Sequence, residues 1–531
     1  MSGELCPDQT SDGRDRMMSG SAFQGTYSLK SGVRLQPAAE GGMVIQENPL
    51  RLIKVNGPAF EMLKKLEQGI LQDQNQDLVN RPAERAFLDR LHQAGLLEWA
   101  PSPAPFYPFV TIIIPVYNRA AEIAACLESL SALRYPRSKL EIIVVDDASK
   151  DDSAAVVKGF GVQLITLSRN QGPAAARNAG TAAARGEIIA FIDSDCLADP
   201  GWLEDLVPYF QDPRLVLVGG RVEGFFRESR MDRYEAVCSA LDMGPRPIMG
   251  QGEHSPFYVP TCNLLVRKEA LNRHGGLDAD LRVGEDVDLC WKLMAAGHHL
   301  TYVPKGVVRH KHRNRFMAGY RRRFDYGTSE ALLYERYPKI SKRFPWQAGG
   351  LGLFLAVLTA LWTRSVYWLV PAIGILAAET IYRRIRLGGK MDQIPGWGLV
   401  FEAVVRGHFH LIFFLTYHLI RYYLLLILVL LWAFSDWALI GTALIVFPTL
   451  VEYLRKKPRL GFPFFAFFFL SEQAFYQSGV FWGCIKQKSF RLYRIVFGRV
   501  ILFRLEPPDP WQNPFTAKAR FSKNGNRNWK R

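Results

Sequence analysis

The stretch GEIIAFIDSDC, residues 186 to 196, gives the first indication of the fold. Its run from Glu187 to Ile192 follows a glycine and is short and rich in β-branched residues, which is typical of a buried parallel strand. The run ends in two aspartates, Asp193 and Asp195. Because side chains alternate along a strand, we expect both carboxylates on one side at its carboxyl end, where open α/β sheets bind ligands.

The spacing of these aspartates predicts a metal site. Two close carboxylates repel each other unless a cation lies between them or they diverge into water. A divalent ion, Mg²⁺ or Mn²⁺, is commonly bound by one or two carboxylates together with substrate phosphates. Taken alone, the tripeptide is equally compatible with an Asp193 that caps a turn and a solvated Asp195.

Strands and helices alternate on both sides of this stretch. VTIIIPVYN (110–118), LEIIVVDDASKDD (140–152) and VQLITLS (162–168) are predicted strands, whereas Ala120 to Leu133 and Gly172 to Arg185 are predicted helices. Such alternation predicts an α/β fold with a doubly wound sheet and right-handed crossovers.

Three more polar groups follow strands of this region. Asp146 and Asp147 end a strand, as the acid of a nucleotide site would, although a turn cap explains them better when they are taken alone. In RNQGPAAARNAG (169–180), a helix start near Arg177 suits a diphosphate, and an exposed Arg on an ordinary helix is the alternative. GEDVDLCWKLMAAG (284–297) begins a helix with Glu285, Asp286 and Asp288. Acids in a first turn often serve only to interact favourably with the helix dipole.

The order of these motifs resembles the family 2 glycosyltransferases, inverting enzymes of the GT-A fold that use nucleotide-sugar donors. The resemblance covers roughly residues 109 to 326. It implies that Pro115, Tyr117 and Asp147 border the base and ribose of UDP and that Arg177 helps at the nucleotide. It also implies a nucleotide-sugar contact for Asp193 and a metal contact for Asp195.

The same resemblance assigns the chemistry. Asp286, in the Glu285–Asp286 pair, corresponds to the general base, which removes the proton of the acceptor hydroxyl. His310 or His312 could complete the metal and diphosphate site, although a basic membrane-facing loop is an equal interpretation of RHKH. The Gln-x-x-Arg-Trp motif of processive synthases is absent and YRRRF (320–324) lies in its region, which disfavours long-chain polymer synthesis.

Charge and hydropathy separate the carboxyl-terminal part. The 531-residue chain carries a net charge of +16, with the basic excess after residue 305. Basic runs border apolar runs at 350–382, 422–451 and 462–483, of which the first two are interrupted by Arg364 and Asp436. These predict helical hairpins, steep spans or re-entrant elements, or else buried core helices. We expect contact with membrane lipids rather than nucleic acid.

The amino-terminal part predicts a small winged-helix-like module, with short strands followed by two amphipathic helices whose apolar faces include Leu63, Leu66, Leu88 and Leu91. It resembles the PqqD-like peptide-recognition domains. Fused to a family 2 glycosyltransferase, it is similar to the glycosyltransferases of the mycofactocin system. That implies transfer of glucose from UDP-glucose to a peptide-derived acceptor, with lipid-linked or cell-envelope glycans as the alternative acceptors.

These features predict the domain organisation. No signal peptide is apparent and the seven cysteines are scattered, so we expect the catalytic part on the cytoplasmic side of the cell membrane. The expected divisions are a disordered amino terminus (1–21), the PqqD-like domain (22–100), a Pro-rich linker (101–108), the glycosyltransferase domain (109–326), a membrane-associated helical region (327–505) and a basic tail (506–531).

Overall fold

The computed structural model describes residues 25–38, 41–46, 51–68, 82–226, 228–252, 255–311, 316–340, 343–388, 396–434 and 437–498. The chain divides into two compact units. The first holds residues 1–100, 387–394 and 501–531, and the second holds residues 101–386 and 395–500. The predicted disordered amino terminus and basic tail lie outside the described residues.

The first unit contains the predicted strands and both predicted helices. Its elements are β1 (Gly25–Leu29), β2 (Val33–Ala38), β3 (Gly41–Gln46), β4 (Arg51–Val55), α1 (Gly57–Glu67), α2 (Pro82–Gln93) and β5 (Leu97–Pro101). Strands β2, β3 and β4 form an antiparallel sheet, and β1 pairs with β5. Asn56 caps α1 by accepting a hydrogen bond from the backbone N–H of Ala59 at 3.1 Å. The four leucines predicted to face inward are all buried.

The second unit is built on an eight-stranded sheet. Its strands are β6 (Val110–Val116), β7 (Leu140–Asp146), β8 (Gln163–Thr166), β9 (Ile188–Phe191), β11 (Leu215–Gly219), β13 (Ile248–Gly250), β14 (Leu264–Arg267) and β15 (His299–Tyr302). Their spatial order is β13-β15-β11-β14-β9-β6-β7-β8. Strands β9, β6, β7 and β8 are parallel, as predicted. Strand β14 runs antiparallel to β9 and β11, because it starts at the cavity edge of the sheet, where Thr261 and Cys262 lie.

Helices cover both faces of this sheet. They are α3 (Ala120–Ser131), α4 (Ser153–Lys158), α5 (Pro173–Ala183), α6 (Trp202–Leu206), α7 (Arg230–Cys238), α8 (Lys268–Arg273), α9 (Glu285–Ala295) and α10 (Phe316–Arg336). Along β6, Ile113 packs into one core cluster while Ile112 and Ile114 pack into the other. The strand is therefore buried on both faces, which confirms the predicted α/β class with a doubly wound sheet.

A small second sheet lies beside the first. It contains β10 (Cys196–Ala198), β12 (Val222–Gly224) and β16 (Val308–His310), with β16 in the middle. Strand β10 is antiparallel to β16, and Cys196 pairs with His310. This register brings the residues after β9 next to a segment more than one hundred positions later in the chain.

The carboxyl-terminal part is helical. It contains β17 (Arg343–Pro345), α11 (Ala348–Thr363), α12 (Leu369–Gly388), α13 (Trp397–Ala433), α14 (Ala438–Lys456), α15 (Phe462–Gln487) and β18 (Val496–Gly498). The predicted break at Arg364 is confirmed, since this residue ends α11 at φ 52°. The second apolar run was placed too late in the chain, because its helix begins at Trp397 rather than near residue 422. Among the described residues, α13 and α14 are long and apolar enough to cross a membrane.

Helix α10 is held tightly against α15. Added Cβ atoms at Gly479 and Gly483 would lie 2.0 Å from the carbonyl oxygen of Phe324 and 2.6 Å from that of Thr328. The two backbones therefore approach closely enough that only glycine fits. The division predicted at residue 326 falls inside α10, and the third apolar run forms α15, a helix that packs on the catalytic part.

Candidate active site

Asp193 and Asp195 lie in a turn and not on the strand. Strand β9 ends at Phe191, and the backbone N–H of Cys196 donates to the carbonyl oxygen of Asp193 at 3.0 Å. The expectation that strand alternation aligns the two carboxylates was therefore wrong in its geometry. The aspartates nonetheless line the same cavity at the carboxyl edge of the sheet.

The pairing of β10 with β16 places His310 beside Asp195. The His310 Nε2 atom lies 3.5 Å from Oδ1 of Asp195, and potential ligand atoms of Asp195, Cys196 and His310 all lie within 4.8 Å of one another. The Cys196 thiol is a soft ligand, whereas Mg²⁺ and Mn²⁺ prefer oxygen, so this thiol is a poor ligand for them. Asp195 and His310 offer the carboxylate and imidazole that suit Mn²⁺. His312 lies outside the described residues.

The surroundings of Asp195 favour a bound cation. Burial raises the pKa of its carboxyl and the nearby Asp193 raises it further, while His310 and Arg119 lower it. A divalent ion between this carboxylate and His310 would stabilise the ionised form of Asp195, which burial disfavours. The residues present therefore fit a divalent metal.

Arg177 ties the aspartate turn to helix α9. It lies on α5, only 2% exposed, and so is not the exposed arginine of the alternative interpretation. Its Nη2 donates to Oδ1 of Asp193 at 2.6 Å, and its Nη1 donates to Oε1 of Glu285 at 3.0 Å. Burial lowers the pKa of the guanidinium, but the two carboxylates more than offset this, and the pKa lies above its usual value. Residues 193 and 285 are thus joined by one buried cation.

The surroundings of Asp286 raise the pKa of its carboxyl group into the neutral range. Asp286 is the second residue of α9, and its pKa is raised to about 7, first by burial and then by the adjacent Glu285. The pKa is lowered to a smaller extent by a hydrogen bond from the backbone N–H of Val287 and by Arg177 and Arg322. A carboxyl with a pKa near 7 can accept a proton at neutral pH, as a general base must.

Asp147 shapes the opposite rim of the cavity. Its two carboxylate oxygens accept hydrogen bonds from the backbone N–H groups of Gln171 and Gly172, at 2.7 and 2.8 Å. Gly172 adopts φ 90°, which favours glycine, and starts α5 with Pro173 at its first turn. Asp147 therefore fixes the loop that precedes Arg177. Pro115 and Tyr117 line the same rim, with the Tyr117 ring 41% exposed.

The structure brings the predicted site residues together. All nine that it describes line one cavity of about 490 Å³: Pro115, Tyr117, Asp147, Arg177, Asp193, Asp195, Glu285, Asp286 and His310. The sequence interpretation missed the far wall, which includes Glu235, Arg322, Arg323 and Tyr326. The YRRRF segment, noticed only because it replaces the family motif, was the available signal for two of these four, Arg322 and Arg323.

The far wall reaches into the carboxyl-terminal helices. Arg323 donates to both carboxylate oxygens of Glu235, at 3.0 and 3.1 Å, and its Nε lies 3.6 Å from Glu472 of α15. Glu472 also accepts a hydrogen bond from the Tyr234 hydroxyl at 2.8 Å. Burial raises the pKa of Glu235, and Arg323 opposes this. Helix α15 therefore packs behind the cavity wall and contacts Arg323, which lines it.

Comparisons with known proteins indicate the family. The sequence profile of glycosyl transferase family 2 matches residues 111–275. A pre-mycofactocin glycosyltransferase of Mycobacterium tuberculosis is 32% identical over 367 residues, which are 68% of this chain and 74% of the relative. Glycosyltransferase AglE of Haloferax volcanii is 32% identical over 202 residues, which are 37% of this chain and 64% of that one.

Among solved structures, the mannosyltransferase PcManGT from Pyrobaculum calidifontis, in complex with GDP-Man and Mn²⁺, covers 73% of this chain. The match covers 90% of that structure, with 18% sequence identity and a TM-score of 0.43.

Proposed function

Because the chain belongs to the family 2 glycosyltransferases, we propose that it transfers a sugar from a nucleotide-sugar donor to a peptide-derived precursor of mycofactocin, with inversion at the anomeric carbon. We further propose UDP-glucose as the donor. The relative's name and the expected peptide-recognition module at residues 22–100 support this acceptor. We place the catalytic part on the cytoplasmic side of the cell membrane.

One observation carries the proposal. Arg177 joins the turn of the aspartates to the helix that begins with Glu285 and Asp286, so that the expected metal site and the expected base face one cavity. An inverting transfer needs these two functions on opposite sides of the reacting carbon. Ion pairs of a buried arginine hold both segments in place before the substrates bind.

The residues divide the reaction between them. Asp286 accepts the proton of the acceptor hydroxyl as that oxygen attacks the anomeric carbon, from the face opposite the diphosphate. Asp195 and His310 would hold a divalent ion, Mn²⁺ or Mg²⁺, which neutralises the charge that develops on the departing nucleoside diphosphate. Pro115 and Tyr117 border the base, and Asp147 positions the loop beside the ribose.

The test is a matrix of donors and acceptors. The purified full-length protein, in detergent with Mn²⁺, is incubated with UDP-glucose, UDP-galactose, GDP-mannose or UDP-N-acetylglucosamine, each with either the peptide-derived precursor or an isoprenoid-linked sugar. We expect a mass increase of one hexose on the precursor with UDP-glucose. NMR coupling at the anomeric proton then reports the stereochemistry of the product.

The experiment also separates the acceptor from the chemistry. Transfer to the isoprenoid-linked sugar alone would replace the peptide acceptor with an envelope glycan. The apolar helices α13 and α14 make this the second candidate, because a lipid-linked acceptor lies at a membrane. Removing residues 1–100, which belong to the first compact unit and not to the one that contains the cavity, should raise the KM for the precursor and leave donor hydrolysis unchanged. An unchanged KM would argue against peptide recognition there.

A further inference from the structure

Helices α11 to α14 carry large apolar side chains on exposed faces. The most exposed lie near the turns between paired helices, where Tyr367 is 81% and Trp432 is 89% exposed. Other members of this surface are Trp362, Val366, Val370, Ile373, Phe414, Leu426, Val429, Phe434 and Trp437. Exposed apolar side chains in this number are typical of a surface that binds a partner protein or a membrane.

Helix α13 is long and apolar enough overall to cross a bilayer, but two arginines divide its apolar part. Its 37 residues measure about 55 Å at 1.5 Å per residue. Arg406 and Arg421, however, leave only residues 407–420 between them, and residues 422–433 remain after Arg421. A spanning helix needs about 20 consecutive apolar residues. The uninterrupted apolar stretches of α13 that lipid could surround are therefore much shorter than the helix itself.

Polar contacts also tie the middle of α13 to the catalytic part. Arg421 Nη1 donates to Gln473 at 3.1 Å, the Tyr422 hydroxyl donates to Glu330 at 2.8 Å, and the backbone N–H of Leu425 donates to Gln477 at 3.1 Å. These partners lie on α10, which lines the cavity, and on α15, which packs against it. A bilayer cannot surround α13 at this point without displacing those helices.

The other helices have the same limitation. Helix α11 has 16 residues. Helix α12 begins at Leu369, and Glu379 interrupts its apolar stretch. In α14 the apolar stretch ends at Glu452, which is 3% exposed and pairs with Arg455 at 2.7 Å. Lys456 then donates to the carbonyl oxygen of Val237 on α7, at 2.7 Å. The length of each uninterrupted apolar stretch is therefore closer to the thickness of one leaflet of a bilayer than to that of two.

Charges and aromatic rings indicate how this surface meets lipid. Basic residues follow the apolar stretches of α12 and α14: Arg383, Arg384, Arg386, Arg455, Lys456 and Lys457. The guanidinium of Arg384 lies 4.2 Å from the centre of the Trp397 ring. Clusters of this kind attract anionic headgroups, and Trp and Tyr prefer the boundary between headgroups and acyl chains.

We propose that α11 to α14 embed in one leaflet of an anionic bilayer, from the side that holds the catalytic part, and that none of them crosses. Burial of about 5–10 Å below the headgroup boundary is the depth that suits such helices. The proposal goes beyond the proposed glycosyl transfer, because it stands whichever sugar and acceptor the enzyme uses.

Single cysteines report the topology. The six cysteines within the described residues are buried, so we expect an impermeant maleimide to label the Cys6→Ser full-length chain only weakly. Tyr367→Cys and Trp432→Cys probe the two turns, and Glu128→Cys, on an exposed position of α3, marks the catalytic side. Right-side-out and inverted membrane vesicles are labelled separately. We expect neither turn to react from the face opposite Glu128→Cys.

Two outcomes would overturn the proposal. Labelling of Tyr367→Cys or Trp432→Cys from the opposite face would show that a helix crosses. A bimane probe on these cysteines that spin-labelled lipids fail to quench would show that the turns do not enter lipid at all. Stronger quenching by lipids labelled near the headgroup than by lipids labelled near the chain ends is the supporting result.

Vesicle flotation tests the anionic preference. Replacing Arg383, Arg384 and Arg386 with Gln should weaken partitioning to phosphatidylglycerol vesicles by about 100-fold at low salt. Replacing Arg134, Arg137 and Lys139 with Gln removes the same charge from the catalytic surface and should change partitioning little. Equal losses in the two triple variants, or equal binding to phosphatidylcholine vesicles, would contradict attraction by the basic clusters.

Discussion

Nη2 of Arg177 lies 2.6 Å from Oδ1 of Asp193, and the same guanidinium holds Glu285 with its other terminal nitrogen. The side chain of Arg177 is 3% exposed and that of Asp193 is 30% exposed, so the guanidinium is buried while the carboxylate stays open to the cavity. A residue that the family resemblance assigns to the nucleotide therefore also positions the aspartate turn against α9. The predictions below separate this positioning function from the chemistry.

Arg177→Met should destabilise the protein by about 3–5 kcal/mol, because it leaves two carboxylates without their buried cation. The free energy of unfolding is measured by urea titration of the full-length chain in detergent. Arg185→Met is the matched control, since the Arg185 side chain is 76% exposed in its ion pair with Glu141 and should contribute less than about 1 kcal/mol. Similar small losses in both variants would show that Arg177 is not a structural link.

Asp286→Asn should lower kcat by about 10² to 10⁴ and leave the Kd for the nucleotide sugar unchanged, because the amide cannot accept the proton. Turnover and equilibrium binding are measured on the same preparation. Asp280→Asn, at an exposed position before α9, should retain full turnover. A large rise in Kd with normal kcat would assign Asp286 to donor binding instead.

The pH dependence of kcat/KM should show a rising limb near pH 7, because Asp286 works only when deprotonated and its pKa is about 7. Below that pH the rate should fall about tenfold per unit. Glu285→Gln removes a neighbouring negative charge that raises this pKa, so the limb should move to lower pH. A limb at the same pH in this variant would mean that another group titrates.

Asp195→Asn and His310→Ala should each raise the Mn²⁺ concentration for half-maximal activity by about tenfold or more, because each removes a ligand. Calorimetric Mn²⁺ titration with UDP present checks the same change without turnover. Cys196→Ser is the control, since a soft sulfur ligand does not suit Mn²⁺ and its replacement should leave Mn²⁺ affinity unchanged. Loss of affinity in that variant would place the sulfur among the ligands.

Gly479→Ala should lower thermal stability and raise the KM for the acceptor together, because its Cβ would meet the Phe324 carbonyl oxygen at 2.0 Å and push α10 away from α15. Gly398→Ala places a Cβ in open space on α13 and should be neutral or slightly stabilising. If both variants melt together with the parent, the two helices do not need their close contact.

The local patterns of the catalytic domain were enough to predict four strands of its large sheet, β6, β7, β8 and β9, whereas the functions assigned to the site residues stay predictions. Short apolar runs that end in acids identify the carboxyl edge of the sheet, and Asp147, Asp195 and Asp286 follow such ends or open the next helix. The pairing of β10 with β16 was not predictable, because a register between segments so distant in sequence leaves no periodic trace. His310 could therefore be proposed only by resemblance.

The helical region was harder for a different reason. Apolar composition does not distinguish a helix that lies in lipid from one that packs on protein. The Phe-rich run of α15 resembles a membrane segment, yet Glu472, Gln473 and Gln477 on it are buried against neighbouring helices. A chain cut near residue 345 would uncover the face of α10 that α15 covers.

The contact between α10 and α15 has a consequence for how the enzyme matures. The ribosome must add about 150 residues after α10 before α15 is complete, which takes roughly 10–30 s at the usual rate of synthesis. Helices α11 to α14 emerge during that interval and precede Glu472, which contacts Arg323, whereas the other partner of Arg323, Glu235, comes earlier in the chain. On the proposed attachment to lipid, a nascent chain exposes its membrane-binding surface before Glu472 reaches its place beside Arg323.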